Sequence, residues 1–309
     1  MSKNTSKETM MIVKSISRRP YGAKLSVLLD DSTRMMLHGE ACLLTDTDYI
    51  VKVRPIKSQS TDESDTASGF RALEIFVEGF ATAGEAEKKG LEVAFGILWG
   101  AISESYSVRL QYQTPLPCVV YDRTRQGSGV FVTLSGTLIL GNPLASIATA
   151  IDEGLSSKAR GDEKLLLAME LFASARQEST ERSRFISLVS SLEPLAEQQD
   201  YTAEVSAAIG QFKDQIKDLK LPPHIEASLL GRTEGLSTES VSSAIRRLVK
   251  ETLPDDSEAL QIIEDAYNLR SRILHDGTTD ADLNQKSREA EAVVRRVIAS
   301  TAALSLRIS

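Results

Sequence analysis

The sequence has few residues of the types that usually bind metals or form disulfides. Its 309 residues include only two cysteines, Cys42 and Cys118, and three histidines. Two cysteines at this separation form neither a zinc motif nor a disulfide framework. HExxH and CxxC patterns are also absent. These absences exclude the common metal-site signatures and predict a protein that uses no metal and no cofactor.

Long apolar runs are missing as well. The longest, LEVAFGILWGAI at residues 91–102, is too short to span a bilayer and contains Glu92. The N-terminal residues MSKNTSKETM are polar and lack the apolar core of a secretory signal. We therefore expect a soluble protein of the reducing cytoplasm with no membrane partner.

The chain also lacks an excess of basic residues. Residues 1–144 carry 16 basic and 16 acidic residues, and residues 145–309 carry the remaining 20 and 27. The acidic second half is thus unlike a generic nucleic-acid binder, which usually has a basic excess. A role on RNA would have to depend on a local basic site.

Residues 1–144 have the pattern of an α+β domain rich in antiparallel strands. Short β-branched and apolar runs such as AKLSVLLDD and RALEIFVEG are separated by turn residues. AGEAEKKGLEVAFGILWGAISE predicts one principal helix, with Phe95 and Trp99 on its buried face. The polar stretch SQSTDESDTASG predicts a mobile loop at 58–69.

Residues 145–309 change to the helical period, which predicts an all-α helical bundle. Pro194 interrupts the second helix and predicts a kink near Leu192 and Glu193. Asp255 and Glu258 have the spacing of a capping box directly after Pro254. They predict the start of the helix that contains the stretch YNLRSRILHDG at residues 267–277.

This stretch combines several polar side chains that are used in catalysis. An advance of about 100° per residue predicts one apolar core stripe, formed by Ile262, Ala266, Leu269 and Ile273. The same advance predicts a polar face formed by Tyr267, Ser271 and His275. Arg270 lies between the stripe and this face. Gly277 fits the position after the helix C-terminus, so His275 belongs to the last turn, where a capping role is the simplest alternative.

The stretch resembles the signature of HEPN domains, in which an arginine and a polar residue are followed, a few positions later, by a histidine near the end of a late helix. LAMELFASARQESTERSRFISLVSSLEPLAE at residues 167–197 is similar to the first helix pair of the Apea-like HEPN family, including Phe185 and Leu192–Glu193. The resemblance covers about residues 160–305. The N-terminal half resembles the variable region that often precedes such domains.

The resemblance implies a fold, an activity and partners. HEPN domains are helical bundles that tend to form homodimers and bring two Arg/His motifs together. Many are metal-independent endoribonucleases in toxin–antitoxin or antiviral defence systems, and others are inactive binding modules. By motif position, Arg270 and His275 are the catalytic pair and Ser271 is the polar residue between them. The implied partners are an RNA substrate, a second copy, and an antitoxin or trigger-sensing partner.

These residue types suit RNA cleavage without a metal. The 2′-hydroxyl must lose a proton, the 5′-oxygen must gain one, and the phosphate oxygens build up negative charge. Histidine exchanges protons near neutral pH, and arginine offers a fork of donors to phosphate. Ser271 and Tyr267 are candidates to bind the phosphate or orient His275, and Glu193 is a candidate to orient Arg270 or His275.

Other polar residues have simpler explanations. His38 at a strand end and His224 at a helix start fit local structural roles. Arg246–Arg247 and Arg295–Arg296 are candidates to flank an RNA path, although helix-surface charge is the simpler interpretation. Three hypotheses remain open: a homodimeric HEPN ribonuclease, a non-catalytic HEPN module that binds a nucleotide, an RNA or a protein, and an interaction scaffold in which the bundle only dimerises.

Overall fold

The computed structural model describes residues 19–29, 40–56, 72–104, 107–112, 115–124, 143–277 and 279–306. Two features predicted from the sequence, His38 and the mobile loop at 58–69, lie outside these residues. The described residues form an antiparallel sheet followed by helices, which agrees with the predicted α+β part and the predicted helical part. The division between residues 144 and 145 stays a prediction.

The sheet contains six strands within the described residues, and all pairs are antiparallel. They are β1 (Tyr21–Leu29), β2 (Ala41–Thr45), β3 (Ile50–Pro55), β4 (Ala72–Phe80), β5 (Val108–Gln111) and β6 (Val119–Asp122). The order is β2-β3-β4-β1-β5, and β6 pairs with the other half of the same edge of β1. One edge of the central strand β1 therefore pairs with both β5 and β6.

Alternation of side chains gives the sheet one apolar and one charged face. Leu25, Val27 and Ile75 are fully buried on the apolar face. On the opposite face, Lys24 of β1 forms an ion pair with Glu74 of β4 at 3.2 Å. The apolar face is covered by helix α1 (Ala83–Ser103), which contacts β1 and β4.

Helix α1 is the main buried element of the molecule. Thr82 and Glu85 form a capping box at its start, and Phe95 and Trp99 are fully buried, as the sequence predicted. Helix α2 (Pro143–Ser156) packs along it, and Trp99 Nε1 donates a hydrogen bond to Glu153 at 3.0 Å. The two helices thereby share one core with the sheet.

The crossing of α1 and α2 is a backbone-to-backbone contact. A Cβ placed on Gly154 would lie 2.4 Å from the Cα of Gly96. A Cβ placed on Gly96 would lie 2.6 Å from the Cα of Ile151. Real Cβ atoms do not approach other atoms this closely, so both positions require glycine.

The remaining helices form the C-terminal bundle. They are α3 (Glu163–Ala175), α4 (Glu181–Ser190), α5 (Ala203–Asp218), α6 (Pro223–Glu234), α7 (Val241–Thr252), α8 (Ser257–Asp276) and α9 (Leu283–Ala302). Helix α9 is central, because it contacts α3, α4, α7, α8 and α1. Its buried side chains join the core of the sheet and α1.

Two arginines connect this bundle to the end of α1. Arg295 of α9 donates to the carbonyl oxygens of Ile102 and Ser103 at 2.6 and 3.0 Å. Arg176, just after α3, donates to the carbonyl oxygen of Ala101 at 3.4 Å. Burial, together with the charge of Arg176, lowers the pKa of Arg295. The guanidiniums thus satisfy carbonyl groups that have no partner at a helix C-terminus.

Among the described helices, none is both long enough and apolar enough to cross a bilayer.

Candidate Arg/His site

Helix α8 carries the predicted catalytic pair. Its N-cap is Asp256, whose carboxylate accepts a hydrogen bond from the backbone N–H of Ala259 at 2.8 Å. The predicted cap, Asp255, was wrong by one residue. At the other end Gly277 has a φ of 74°, and its N–H bonds the carbonyl oxygen of Ile273 at 3.0 Å. The predicted glycine C-cap is confirmed, and His275 lies in the last turn.

The core stripe of α8 differs slightly from the predicted one. Its buried residues are Ala259, Ile263, Ala266, Leu269 and Ile273. Ile263 is fully buried, whereas the predicted Ile262 is half-buried. Periodicity places both isoleucines near the stripe, and packing of the bundle decides between them.

Glu193 reaches α8 because helix α4 stops early. Pro194 has no N–H and cannot continue an α-helix, so α4 ends at Ser190 and a 3-10 turn follows at Glu193–Leu195. The predicted kink is therefore a helix end. Leu192 is fully buried beneath the turn, which fixes the carboxylate of Glu193 toward α8.

Arg270 is held by three side chains. Its Nη2 lies 2.9 Å from Glu193 Oε1, and its Nε donates to Ser190 Oγ at 2.9 Å. The guanidinium carbon lies 5.3 Å from the ring centroid of Tyr267, one turn earlier on α8. The side chain of Arg270 is only 16% exposed. These contacts fix the cation in one position and offset its charge with a carboxylate.

Tyr267 belongs to the same cluster. Burial and the charge of Glu193 raise its pKa, while the nearby Arg270 partly lowers it. Its hydroxyl therefore stays protonated at neutral pH and remains a hydrogen-bond donor.

Ser271 and His275 have no such contacts. Ser271 is half-buried and His275 is exposed, and neither side chain forms a hydrogen bond or ion pair with the described residues. An imidazole in this position is open to a ligand or a second protein. The prediction that Tyr267 or Ser271 orients His275 has no contact to support it.

Within one chain, the side chains of Arg270 and His275 do not point to the same place. Five residues of α-helix separate them by about 7.5 Å along the axis and about 140° around it. Arg270 points to α4 and the 3-10 turn, whereas His275 points to solvent. A single copy therefore offers one fixed cation and one accessible imidazole on different sides of α8.

The other arginine candidates are engaged within the bundle. Arg246 pairs with Glu264 at 3.1 Å, and Arg296 pairs with Asp256 at 2.6 Å. Arg247 pairs with Glu239 at 2.7 Å, and Arg295 binds the end of α1. The contacts of Arg246, Arg247 and Arg296 agree with the helix-surface interpretation, whereas Arg295 is partly buried and connects α9 to α1.

Sequence reasoning missed Ser190. Its hydroxyl accepts from Arg270 and donates to the carbonyl oxygen of Ile186 at 2.8 Å, so it links α4 to α8. Its position three residues before Glu193 could have indicated this role, because residues three apart lie on the same side of a helix, here at the C-terminal end of α4.

Within the part of the chain that the structure describes, no group of three or more His, Cys, Asp and Glu side chains has the arrangement needed to hold a metal ion. Comparison of the chain with protein-family models, curated proteins and solved structures finds no match.

Proposed function

We propose that this protein is a metal-independent RNA endonuclease of the HEPN type that acts in the cytoplasm in antiviral or toxin-like defence. The observation that carries the proposal is the pairing of a fixed guanidinium, Arg270, with an exposed imidazole, His275, on the last turns of one helix. The resemblance of residues 160–305 to HEPN domains supplies the reaction class. The N-terminal half would then sense a trigger or bind an antitoxin.

In the proposed reaction the 2′-oxygen of RNA attacks the adjacent phosphorus, and the bond to the 5′-oxygen breaks. One imidazole takes the proton of the 2′-hydroxyl, and a second donates a proton to the departing 5′-oxygen. The products are a 2′,3′-cyclic phosphate and a 5′-hydroxyl. Arg270 stabilises the negative charge on the phosphate oxygens as the new bond forms.

The geometry favours a site shared by two copies. One copy supplies a single histidine at this site, although the reaction uses a base and an acid. Because Arg270 and His275 leave α8 on different sides, the His275 of a second copy could face a phosphate bound at Arg270 more directly than the His275 of the same copy. The proposal therefore places the ends of two α8 helices around one phosphodiester.

Glu193 has a positioning role in this proposal. Its carboxylate and the Ser190 hydroxyl hold the guanidinium on one edge. A phosphate would approach the N–H groups on the other edge, since arginine offers five N–H donors in a fixed fork. The carboxylate also reduces the attraction between the resting site and polyanions.

Cleavage of labelled RNA in EDTA tests the proposal. Wild type should cut, whereas His275→Ala and Arg270→Ala should lower the rate at least a hundredfold. Matched controls are His224→Ala, a second exposed histidine, and Arg272→Ala, an exposed arginine on the same helix. Both controls should cut like wild type. Equal cutting by wild type and His275→Ala would overturn the assignment.

A specific observation favours a second candidate, a non-catalytic module that binds a nucleotide, an RNA or a protein. Arg270 is already neutralised by Glu193, and the whole chain has a net charge of −7. This candidate predicts that nucleotide or RNA raises the melting temperature of wild type without any cleavage, and that expression leaves bacterial growth and RNA integrity unchanged. Cutting that depends on His275 would exclude it.

A further inference from the structure

Helices α5 and α6 form a hairpin that is poorly buried. They pack against each other and against the 3-10 turn at Gly235–Ser237. Ile216 is the only buried residue of α5, and Thr233 is the only one of α6. Helices of this length are marginal in water by themselves and normally depend on burial of an apolar face. The hairpin therefore lacks a partner surface within the described residues.

The base of the hairpin is firmly attached to the bundle. Asp200 and Thr238 form an antiparallel bridge, and Glu239 accepts a hydrogen bond from the backbone N–H of Gln199 at 3.1 Å. Arg247 of α7 binds Glu239 at 2.7 Å and also donates to the carbonyl oxygen of Glu197. The hairpin is thus held at a fixed position while the part beyond its base stays largely uncovered.

The uncovered part has a continuous apolar face. Val205 and Phe212 of α5 and Leu219 at its C-cap recur every seven residues and are 40%, 51% and 65% exposed. Leu236, 54% exposed, lies beside Val205 and Phe212. An open groove of about 420 Å³ runs between these side chains and is lined by Glu204, Val205, Ala208, Ile209, Phe212 and Leu236. Only one of the six lining residues is charged.

We infer that this face, which we call the hairpin face (Tyr201, Val205, Ala208, Phe212, Leu219 and Leu236), binds the same face of a second copy of this chain. Two antiparallel helix pairs that meet through apolar faces form a four-helix bundle, which is a stable arrangement for such hairpins. An isologous contact of this kind uses the same surface on both copies. The inference concerns association alone and does not rest on the proposed ribonuclease activity.

The available area is sufficient for such a pair. An aromatic side chain offers roughly 150–250 Å² and an aliphatic one somewhat less, so the five large side chains of the hairpin face, each about half exposed, offer on the order of 400 Å². Apolar atoms make up about 56–65% of an interface, so two joined faces would bury roughly 1,300 Å² in total. This value lies within the range of about 1,200–2,000 Å² that is typical of specific pairs.

Charge favours a second copy over a strongly charged partner. Residues 201–237 carry four basic and five acidic residues, whereas the whole of 145–309 carries 20 and 27. Two copies that meet through this face therefore bring together segments with a net charge of only −1 each, so the repulsion between them is small. The opposite charges also alternate along the hairpin, as in the pair Lys217–Asp214 at 3.3 Å.

Sedimentation of the full chain without RNA tests the inference. Wild type should be a monomer at low micromolar protein concentration and a dimer at high micromolar concentration. The double variant Val205→Gln/Phe212→Gln should stay monomeric, and Leu167→Gln, which removes a 46% exposed leucine of α3, should still dimerise. Circular dichroism checks that each variant retains its helices.

A measurement on wild type keeps the test independent of how the variants fold. Amide exchange of residues 203–218 should slow as protein concentration rises, because the second copy covers α5. A monomeric wild type at all concentrations, or a double variant that dimerises like wild type, would overturn the inference. Slow exchange of α5 that is independent of concentration would also overturn it, because the face would then be covered by the chain's own residues.

Discussion

Arg270 and Glu193 form an ion pair at 2.9 Å across 77 residues of sequence. The pair connects α8 to the turn that ends α4, and Ser190 adds a hydrogen bond to the same guanidinium. Arg270 therefore stabilises the bundle as well as presenting a cation. Its two roles can be separated by measuring stability and RNA cleavage on the same variants.

Replacement of Arg270 by alanine should lower the free energy of unfolding by about 1–3 kcal/mol, because the largely buried guanidinium is lost and its two acceptors, the partly exposed Glu193 carboxylate and the Ser190 hydroxyl, lose their donor. His275→Ala, at an exposed position, should change it by less than about 0.5 kcal/mol. Urea unfolding of both variants measures the difference. A double-mutant cycle with Glu193→Ala should give a coupling of roughly 1 kcal/mol, and a coupling near zero would contradict the pair.

Alanine at Gly96 or Gly154 should destabilise the protein strongly. The new Cβ would meet backbone atoms at 2.6 or 2.4 Å, and backbone yields less easily than a flexible side chain. We expect a loss of at least about 2–3 kcal/mol, or failure to fold. Gly84→Ala in the same α1 helix meets nothing within 4 Å and should leave the melting temperature unchanged or slightly higher. Similar losses at Gly84 and Gly96 would refute the close crossing.

The two cysteines should react very differently. Burial and the charge of Glu87 raise the pKa of Cys118 to about 11, whereas Cys42 is exposed. Because the thiolate is the reactive form, a native sample at pH 8 should give one fast-reacting thiol per chain with a disulfide reagent, and denaturant should reveal the second. Cys42→Ser should abolish the fast phase. Rapid reaction in that variant would show that Cys118 is accessible.

The free energy of unfolding should decrease as pH rises because of Glu170. Burial raises its pKa above the ordinary 4.5, and the hydrogen bond from Tyr112 offsets part of this effect. The native state therefore binds this proton more tightly than the unfolded state. The stabilising contribution is complete below pH 4.5 and is lost as pH rises through the folded pKa.

Glu170→Gln should consequently raise stability at neutral pH, by on the order of 1 kcal/mol or less, and flatten the pH dependence above 4.5. Tyr112→Phe removes the offsetting hydrogen bond and should make that dependence steeper. Thermal unfolding across the acidic range compares the three proteins. An unchanged slope in both variants would mean that Glu170 is solvated in the folded protein.

Arg247→Gln should loosen the base of the hairpin without unfolding the bundle. The change removes the bond to the carbonyl oxygen of Glu197 and the ion pair with Glu239. Amide exchange should accelerate at residues 198–200 and 237–239, while the buried amides of α9 remain protected. Arg232→Gln, at an exposed position of α6, is the control and should leave exchange at the base unchanged.

Local patterns in the sequence predicted those features that depend on neighbouring residues. The glycine C-cap at Gly277 follows from a left-handed backbone that glycine adopts easily, and the buried Phe95 and Trp99 follow from the period of α1. The Asp256 cap was missed by one position, because Asp255 and Asp256 both follow Pro254 and only packing selects between them.

Contacts between distant elements were harder to predict. Period alone identifies an apolar face but does not say what covers it, so the amphipathic pattern of α5 gave no sign that this helix would remain exposed. Glu193 was proposed to orient Arg270, and the structure places them in contact. Arg270 and His275 were predicted to form one catalytic pair, and the rotation of about 140° over five helical residues, roughly two fifths of a turn, places them on different sides of α8.

The attachment of Arg176 and Arg295 to the end of α1 makes the two halves of the chain mutually dependent. Both cations come from the helical half, and the carbonyl groups that receive them belong to the helix that supports the sheet. Expression of the helical half by itself would leave two neighbouring positive charges without these acceptors and would uncover the surface beneath α1. We expect such a fragment to aggregate, so truncation would be an unsuitable way to test what the sheet contributes, and point substitutions on the charged face of the sheet should be used instead.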